Sequence, residues 1–382
     1  MTPAARYAAA IEVLDDVLEG RVPEAALLAW MRSHRFAGSK DRAGIRDIVF
    51  SIDRRRASCS AMGQGNDGRS LVRGYLAQEN IDEKRVFGAG GYAPTSLRND
   101  EPPVLEWEAL PEVLKADVQT WVWRLLQADH GSKAQDLAEA LRHRAPVWVR
   151  ANLAKAEPKT VIAGLEDRGF SPQQHHTCPT AIRINDNSRK IGQDAAYLDG
   201  QIEMQDLAPQ AAVGQLGIKS GETVLDYCAG GGGKALAMAA LGASVTAHDT
   251  EFGRMKDIPA RAKRAGLTIQ RLPGPATGQY DLVLCDVPCS GSGAWRRATA
   301  NKWSLEPDDL SALVSLQREI LTQALPLVRP GGRLAYMTCS LFAAENSEQA
   351  SWLGKRTKPM HQQHWMPIDD ADGFFLAVFR KN

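Results

Sequence analysis

The chain of 382 residues is short of net charge, of long apolar runs and of paired cysteine motifs, and each shortage removes a class of protein. With 46 Lys and Arg against 45 Asp and Glu the formal net charge is +1. A nucleic-acid partner is neither demanded nor excluded by this balance, since a local basic groove can sit on a neutral protein. No stretch reaches the roughly 18 apolar residues that crossing a bilayer requires. The start, "MTPAARYAAA", lacks the basic segment, apolar middle and small-residue cleavage site of a secretory leader. A soluble, cytoplasmic protein without a membrane partner is expected. The six cysteines, Cys59, Cys178, Cys228, Cys285, Cys289 and Cys339, form no CxxC pair, and reduced thiols are the simplest reading. "QQHHTC" (Gln173 to Cys178) carries zinc-ligand types, but no second cluster accompanies it, so a polar loop is the plainer reading and no metal is expected. Internal repeats and low-complexity tracts are absent as well.

What is present begins with helices. Thr2 can cap and Pro3 suits a first helical position, and Tyr7, Ile11, Leu14 and Leu18 recur at helical spacing until Gly20. A second helix is expected from Pro23, with Leu27, Leu28 and Met31. A third, after Ser39, carries Ile45, Ile48, Val49 and Ile52. None can bury its stripe alone, which implies a helical bundle. Ser58 to Gly68 and Phe87 to Ser96 read as loops. Arg54 to Arg56 could meet phosphate, although a solvated helix end is the plainer reading. Two more helical segments are expected between Leu110 and Arg144, the first burying Val118, Trp121, Val122 and Leu125.

After Pro146 the texture changes. "VWVRANL" (Val147 to Leu153) and "AIRIN" (Ala181 to Asn185) read as strands flanking a helix. From about Thr223, "TVLDYC", "SVTAHD", "TIQRL", "YDLVLCD" and "RLAYMTCS" alternate with helical segments, the signature of a doubly wound parallel sheet buried on both faces. "FFLAVFR" (Phe374 to Arg380) would close it as a last strand. The expected fold class is α/β, with an all-α domain over 1–144, a small α/β linking segment over 145–220 and a Rossmann-like domain over 221–382.

Ligands on such sheets lie over the carboxyl ends of the strands. There the first strand runs into Cys228, Ala229, Gly230, Gly231, Gly232, Gly233 and Lys234. Consecutive glycines let backbone approach a ligand, and the next helix turns its N-terminal amides toward it. A phosphate-binding P-loop is disfavoured, since Cys228 stands where its first glycine belongs and Ala235 where its Ser or Thr belongs. Asp249, at the tip of the second strand, suits a ribose of either NAD or S-adenosylmethionine (SAM). A strand-end Asp that caps the following helix is the bland alternative. Asp286 and Cys289 end the fourth strand and Cys339 ends the next, so both thiols are expected to face one crevice. Cys285 alternates to the side opposite Asp286 and reads as core.

The segments "LDYCAGGGGK", "LCDVPCSGSG", "RRATANKW" and "GGRLAYMTCSLFAAEN" resemble, in order and spacing, the Sun (Fmu) family of SAM-dependent RNA cytosine-5 methyltransferases. "MQDLAPQ" (Met204 to Gln210) resembles the segment before that fold, and "DGFFLAVFRK" its usual end. "SKDRAGIRDIVFSIDRRR" (Ser39 to Arg56) resembles the NusB-like RNA-binding domain of the bacterial members that act on 16S ribosomal RNA. The resemblance implies a methyltransferase with SAM held by Cys228 to Lys234, Asp249 and Asp286, and ribosomal RNA as partner. It further implies Cys339 as nucleophile and Cys289 as release residue; the residues alone leave that pair interchangeable. Two departures stand out. The family usually writes the loop CAAPGGK, where this chain has Gly230 and Gly231. The family also usually has an Asp after the third strand to meet the adenine amino group, and "RLPGPATG" (Arg271 to Gly278) contains no acid.

The chemistry explains why such residues would be needed. Carbon 5 of cytosine is a poor nucleophile until a thiolate adds to carbon 6. Asp286, holding a proton, could donate to nitrogen 3 as general acid. Lys234 could order the site or the RNA; a solvated first-turn lysine is the alternative. Arg296, Arg297 and Lys302, beside aromatic residues, suit phosphates and an unstacked base, and Arg150 and Arg183 could extend that track. An NAD-dependent oxidoreductase would share the glycine loop and Asp249 but leave Asp286, Cys289 and Cys339 unexplained. A non-catalytic RNA-binding protein on a decayed methyltransferase fold would fit the missing acid. The oligomeric state is open, with a monomer favoured.

Overall fold

The computed structural model describes all 382 residues, which separate into two compact units: Met1–Arg144 with Trp295–Leu305, and Ala145–Ala294 with Glu306–Asn382.

The first unit is helical. Helices Pro3–Leu18, Pro23–Ser33 and Ser39–Arg54 form where the apolar spacing places them, and the Thr2 hydroxyl caps the first by accepting from the Ala5 N–H at 3.2 Å. Their inward faces bury Val13, Leu14, Leu27, Ile45, Val49 and Ile52. The Ser58 to Gly68 stretch, expected as a loop, is largely helix Arg56–Gly63. It packs closely on the next helix, Gly68–Gln78, and glycine is required on both: a Cβ on Gly63 would stand 1.9 Å from the Ser70 carbonyl oxygen, and one on Gly74 2.0 Å from that of Cys59. In helix Thr120–His130 the buried stripe is Val122, Trp123 and Leu126, one step round from the expected Trp121 and Leu125. Buried Asp117 ties the bundle together, accepting from the Ser58 N–H and hydroxyl at 2.7 Å each and from Arg142 Nε at 2.8 Å.

The second unit holds two sheets. Strands β1 (Trp148–Ala151), β2 (Pro172–Gln174), β3 (Ala181–Ile184) and β4 (Ile202–Met204) pair antiparallel in the order β2-β3-β1-β4. The other strands are β5 (Thr223–Asp226), β6 (Ser244–Ala247), β7 (Ile269–Arg271), β8 (Tyr280–Asp286), β9 (Val328–Thr338), β10 (Lys358–Trp365) and β11 (Phe374–Arg380). They form one sheet in the order β10-β11-β9-β8-β5-β6-β7. Strands β5 to β9 are parallel; β11 and β10 each run antiparallel to their neighbour. Two expectations are corrected. The Phe374 to Arg380 segment is last in the chain but lies inside the sheet, because edge strand β10 covers it. That strand's polar, exposed pattern carries no buried-strand signal. Strand β7 is three half-exposed residues at the other edge rather than a strand buried on both faces.

Candidate active site

Strand β5 is the middle of the parallel set, with β6 on one side and β8 on the other. Order reverses there, so the crevice beyond its carboxyl end is where a doubly wound sheet binds ligand. The turn that follows is built on glycine. Gly230 and Gly232 take φ of +49° and +79°, and a Cβ on Gly232 would come within 2.6 Å of Ile258. Gly230 N–H donates to Asp249 Oδ2 at 2.9 Å, and Glu251 N–H to Oδ1 at 3.0 Å. Asp249 thus holds the loop and caps its own turn, while Arg254 approaches Oδ2 at 3.4 Å.

Below the loop lies Asp226, the last residue of β5, which is 1% exposed and has no hydrogen-bond partner on either carboxylate oxygen. Burial, and then the charge of Asp286, raise its carboxyl to about pKa 7. Sequence reading had passed over it as part of a strand. Its neighbour across the crevice, Lys234, donates from Nζ to Asp286 Oδ2 at 2.5 Å. Burial works against the ammonium, but the Asp286 carboxylate and hydrogen bond, with Asp226 and Cys339, raise it above its usual value.

Asp286 pairs with Met337 in register, so the segments beyond the ends of β8 and β9 begin side by side. Past those ends the Cys289 and Cys339 sulfurs lie 3.4 Å apart and face one another. Gly293 N–H donates to the Cys339 carbonyl at 3.0 Å, and Gly373 N–H to the Gly293 carbonyl at 2.9 Å. This crossing of backbones requires glycine, since a Cβ on Gly293 would fall 2.1 Å from Gly373 O. The Cys289 thiol is raised well above the ordinary range by its hydrogen bond to Cys339, then by burial and the nearby Cys339 and Glu345 charges. Cys285 is fully buried in the core, and burial also raises Cys228 at the head of the glycine loop.

A buried polar cluster that sequence reading missed braces the two cysteine segments. Glu345, 0% exposed, accepts at Oε1 from Ser290 N–H and Gln317 Nε2, both at 2.9 Å, and at Oε2 from the Ser290 and Ser340 hydroxyls, both at 2.5 Å. Gln317 also donates to the Pro288 carbonyl at 3.0 Å. Glu345 lies inside the quoted segment GGRLAYMTCSLFAAEN, but as an acid followed by Asn346 and Ser347 it carries no sign of burial.

The basic track is corrected. Lys302 is fully buried, donating to the Arg54 carbonyl at 2.8 Å, and Arg296 is 5% exposed. Of the three cations in that segment only Arg297 is exposed. Among the preceding arginines, Arg55 pairs with Glu79 at 2.7 Å and Arg56 with Asp53 at 2.5 Å. Arg150 is buried and donates to Gln205 at 2.7 Å, while Arg183 pairs with Asp370 at 3.0 Å.

The cradle has the features that SAM needs. Gly230 to Gly233 add no side chains of their own to its rim, Asp226 is an orphaned acid suited to an ammonium group, and Phe252, 41% exposed, stands just past the end of β6. Arg271, at the end of β7, lies 5.0 Å over the Phe252 ring. Together they offer an apolar and cationic face where the usual acid is missing.

Comparison with known proteins agrees with this geometry. Residues 213–380 match the family described as 16S rRNA methyltransferase RsmB/F, and residues 119–189 match its RsmF/B-like ferredoxin-like domain. The proteins named ribosomal RNA small subunit methyltransferase B from Salmonella arizonae and Vibrio cholerae are 32% and 31% identical, each over 68% of this chain. The chain spans 66% and 64% of the length of those two relatives. Among solved structures, PH0851 superposes with a TM-score of 0.77 at 23% identity, over 100% of this chain and 99% of its own. NSun6 from Pyrococcus horikoshii gives 0.63 at 17% identity, over 69% of this chain and 98% of its own. At these identities the structures establish a shared fold.

Proposed function

This chain belongs to the RsmB/F (Sun) family of methyltransferases, and we propose that it transfers a methyl group from SAM to carbon 5 of a cytosine in ribosomal RNA, through a covalent cysteine adduct. The observation that carries the reading is the pair of sulfurs 3.4 Å apart beside the Lys234–Asp286 ion pair. Hydride transfer to or from NAD, the rival chemistry for a glycine turn followed by a strand-end acid, uses neither the apposed thiols nor the Lys234–Asp286 ion pair.

The residues divide the work. The Cys339 thiolate adds to carbon 6, forming the S–C6 bond and pushing an electron pair toward nitrogen 3. Lys234 holds a proton firmly, and Asp286, bonded to it, passes that proton to nitrogen 3 as charge develops there. When bound, SAM supplies an electrophilic methyl group to the carbon 5 enamine. As the C6–S bond breaks, the Cys289 thiol hands its proton to the departing Cys339 sulfur. The thiolate so formed takes the proton from carbon 5, the C5–C6 double bond returns, and nitrogen 3 gives its proton back through Asp286 to Lys234. Asp226, Asp249 and the Cys228 to Lys234 loop would hold the cofactor, and Phe252 and Arg271 would offer its adenine an apolar and cationic face.

Methyl-labelled SAM and small-subunit ribosomal RNA test the proposal. Label is expected on carbon 5 of cytosine by nucleoside mass spectrometry. Cys289→Ala is expected to accumulate a denaturant-resistant protein–RNA adduct, and Cys339→Ala to form none. An adduct in Cys339→Ala with none in Cys289→Ala would reverse the two roles, and label on any base other than cytosine would overturn the function.

A further inference from the structure

Burial takes Arg150 off any RNA-facing track and raises the question of what its charge serves. The residue stands on β1, is 5% exposed, and its guanidinium makes a single hydrogen bond, from Nε to Gln205 Oε1 at 2.7 Å. Glu203, its partner across the β1–β4 pair, is committed elsewhere: Oε2 accepts from Arg261 Nη2 at 2.9 Å and Oε1 from Arg264 Nη2. Three guanidinium groups therefore share one carboxylate, and Arg150, the most buried of the three, is the one left without an ion pair. A cation removed from water without an anion is costly, so the arrangement calls for a further anion.

Space for one lies beside it. Arg150 lines a cavity of about 390 Å³ bounded by β1, the turn Thr177 to Thr180 and helices Leu207–Gly214 and Gly233–Ala240. The Nη1 and Nη2 groups have no acceptor, yet neither is sealed in by protein. The cavity is of the size that takes a small organic ligand, and most of its wall is apolar, with Ala211, Val213, Ala237, Ala240, Leu241 and Trp365. The polar groups near Arg150 have spent their donors on one another. The Thr180 hydroxyl donates to Gln210 Oε1 at 3.2 Å, and Gln210 Nε2 donates to the Gln205 carbonyl at 2.9 Å. Neither the glycine turn before Gly233 nor Asp226, Asp286, Cys289 or Cys339 lines this space, so it is separate from the crevice beyond β5.

We propose that this cavity is a binding site for a small organic acid with an apolar body, its carboxylate held by Arg150 Nη1 and Nη2 and its body packed against the two helices. Because Gln205 occupies Nε, the end of the guanidinium that remains is the Nη1–Nη2 fork, whose two parallel donors match the two oxygens of a carboxylate. The bond to Gln205 also holds the fork in one plane before the ligand arrives, and Gln210 holds Gln205 in turn. A phosphate is served less well: it has more oxygens than there are donors left, in a pocket that is otherwise apolar. A neutral ligand would leave the buried cation as it stands. The site does not depend on the methyl-transfer reading, since none of its residues takes part in that chemistry.

Titration calorimetry of the full-length protein tests this with two carboxylates of different shape, octanoate and 2-naphthoate, and with their neutral and phosphorylated counterparts 1-octanol, 2-naphthol, octyl phosphate and 2-naphthyl phosphate. At least one carboxylate is expected to bind with a Kd below about 1 mM, and about 10- to 100-fold more tightly than its alcohol. Its phosphate is expected to bind more weakly than the carboxylate. Arg150→Met, which keeps an apolar stem and removes the fork, is expected to bring the carboxylate down to the affinity of the alcohol. Ala240→Phe, which fills the cavity from the opposite wall and leaves Arg150 in place, is expected to abolish binding of both. Failure of both carboxylates to bind, equal affinity for acid and alcohol, or an Arg150→Met protein with unchanged Kd overturns the proposal. If Arg150→Met does not fold, Ala240→Phe decides: loss of binding supports the site and an unchanged Kd overturns it. Saturating S-adenosylhomocysteine is expected to leave the Kd as it was, and displacement of the acid would put it in the crevice beyond β5 and overturn the proposal.

Discussion

The orphaned carboxyl of Asp226 gives a prediction with opposite signs for stability and for binding. Its pKa is about 7 in the fold against 3.8 for the free side chain. A raised acid contributes its full stability only below the lower value, and that contribution is lost as pH rises through the higher one. Between about pH 4 and 7 the folded state therefore loses ground to an unfolded state that ionises freely, and above pH 7 the penalty levels off near 4 kcal/mol, three shifted units at 1.36 kcal/mol each. Asp226→Asn removes the ionisation and keeps the shape. In the cofactor-free protein it is expected to be close to neutral at pH 4 and stabilising by roughly 2 to 4 kcal/mol at pH 8, less whatever the buried amide costs. For a chain of 382 residues, whose unfolding entropy is about 0.8 kcal/mol/K, that is a rise in Tm of about 2 to 5 °C, read by scanning calorimetry at both pH values. The same substitution removes the anion available to the SAM ammonium group. Loss of one charge-assisted hydrogen bond should weaken SAM binding by about 10- to 100-fold in titration calorimetry. A variant that is less stable at pH 8 than the wild type, or whose stability gain is the same at both pH values, would refute the reasoning that this carboxyl is stored without a partner.

Two further substitutions probe the walls of the crevice. Phe252→Ala should raise the Kd for SAM by about 10-fold, through lost stacking area and loss of the surface under Arg271, with Tm changed little because the ring is 41% exposed; an unchanged Kd would place the adenine elsewhere. Gly293→Ala should abolish methyl transfer and lower Tm, since its Cβ would meet Gly373 O at 2.1 Å and part the backbones that hold Cys339 in place, whereas Gly291→Ala, at a position with open space around it, should cost only the strain of its φ of +67°.

Much of the scaffold could be read from pattern because pattern is what burial demands. The apolar stripes of the first three helices and the continuous apolar runs of β5, β8 and β9 had no stable alternative to the elements they formed. The glycine turn and the matched cysteines were legible for a related reason, as their residue types answer needs of backbone approach and of sulfur chemistry. What escaped was set by long-range context. Edge strand β10, "KPMHQQHW", pairs through its backbone and buries little, so no periodicity marks it. Lys302 and Arg296 read as solvent-facing cations because charge is usually exposed, yet Lys302 reaches a carbonyl 248 residues away in sequence. Glu345 was silent for the same reason, its four donors coming from three separate segments.

The two departures of the glycine turn are consistent with one another. Where the family usually has Ala and Pro, Gly230 takes φ +49°, a conformation that strains any side chain, and Gly231 keeps an N–H that proline lacks. Stiffness lost from the chain is supplied from outside it: Asp249 accepts from Gly230, Arg261 donates to the Gly231 carbonyl, and Arg254 approaches Asp249. Arg261 is anchored in turn by Glu203 at 2.9 Å, at the edge of the antiparallel sheet. A loop held by ion pairs rather than by proline is sensitive to salt in a way that a stiff one is not, because screening weakens its supports while leaving glycine as mobile as before. Asp226 is raised by burial and then by Asp286, while at the far edge of the sheet Arg271 lies over the Phe252 ring, so the crevice has an acidic end beside β5 and a cationic, aromatic end beside β7.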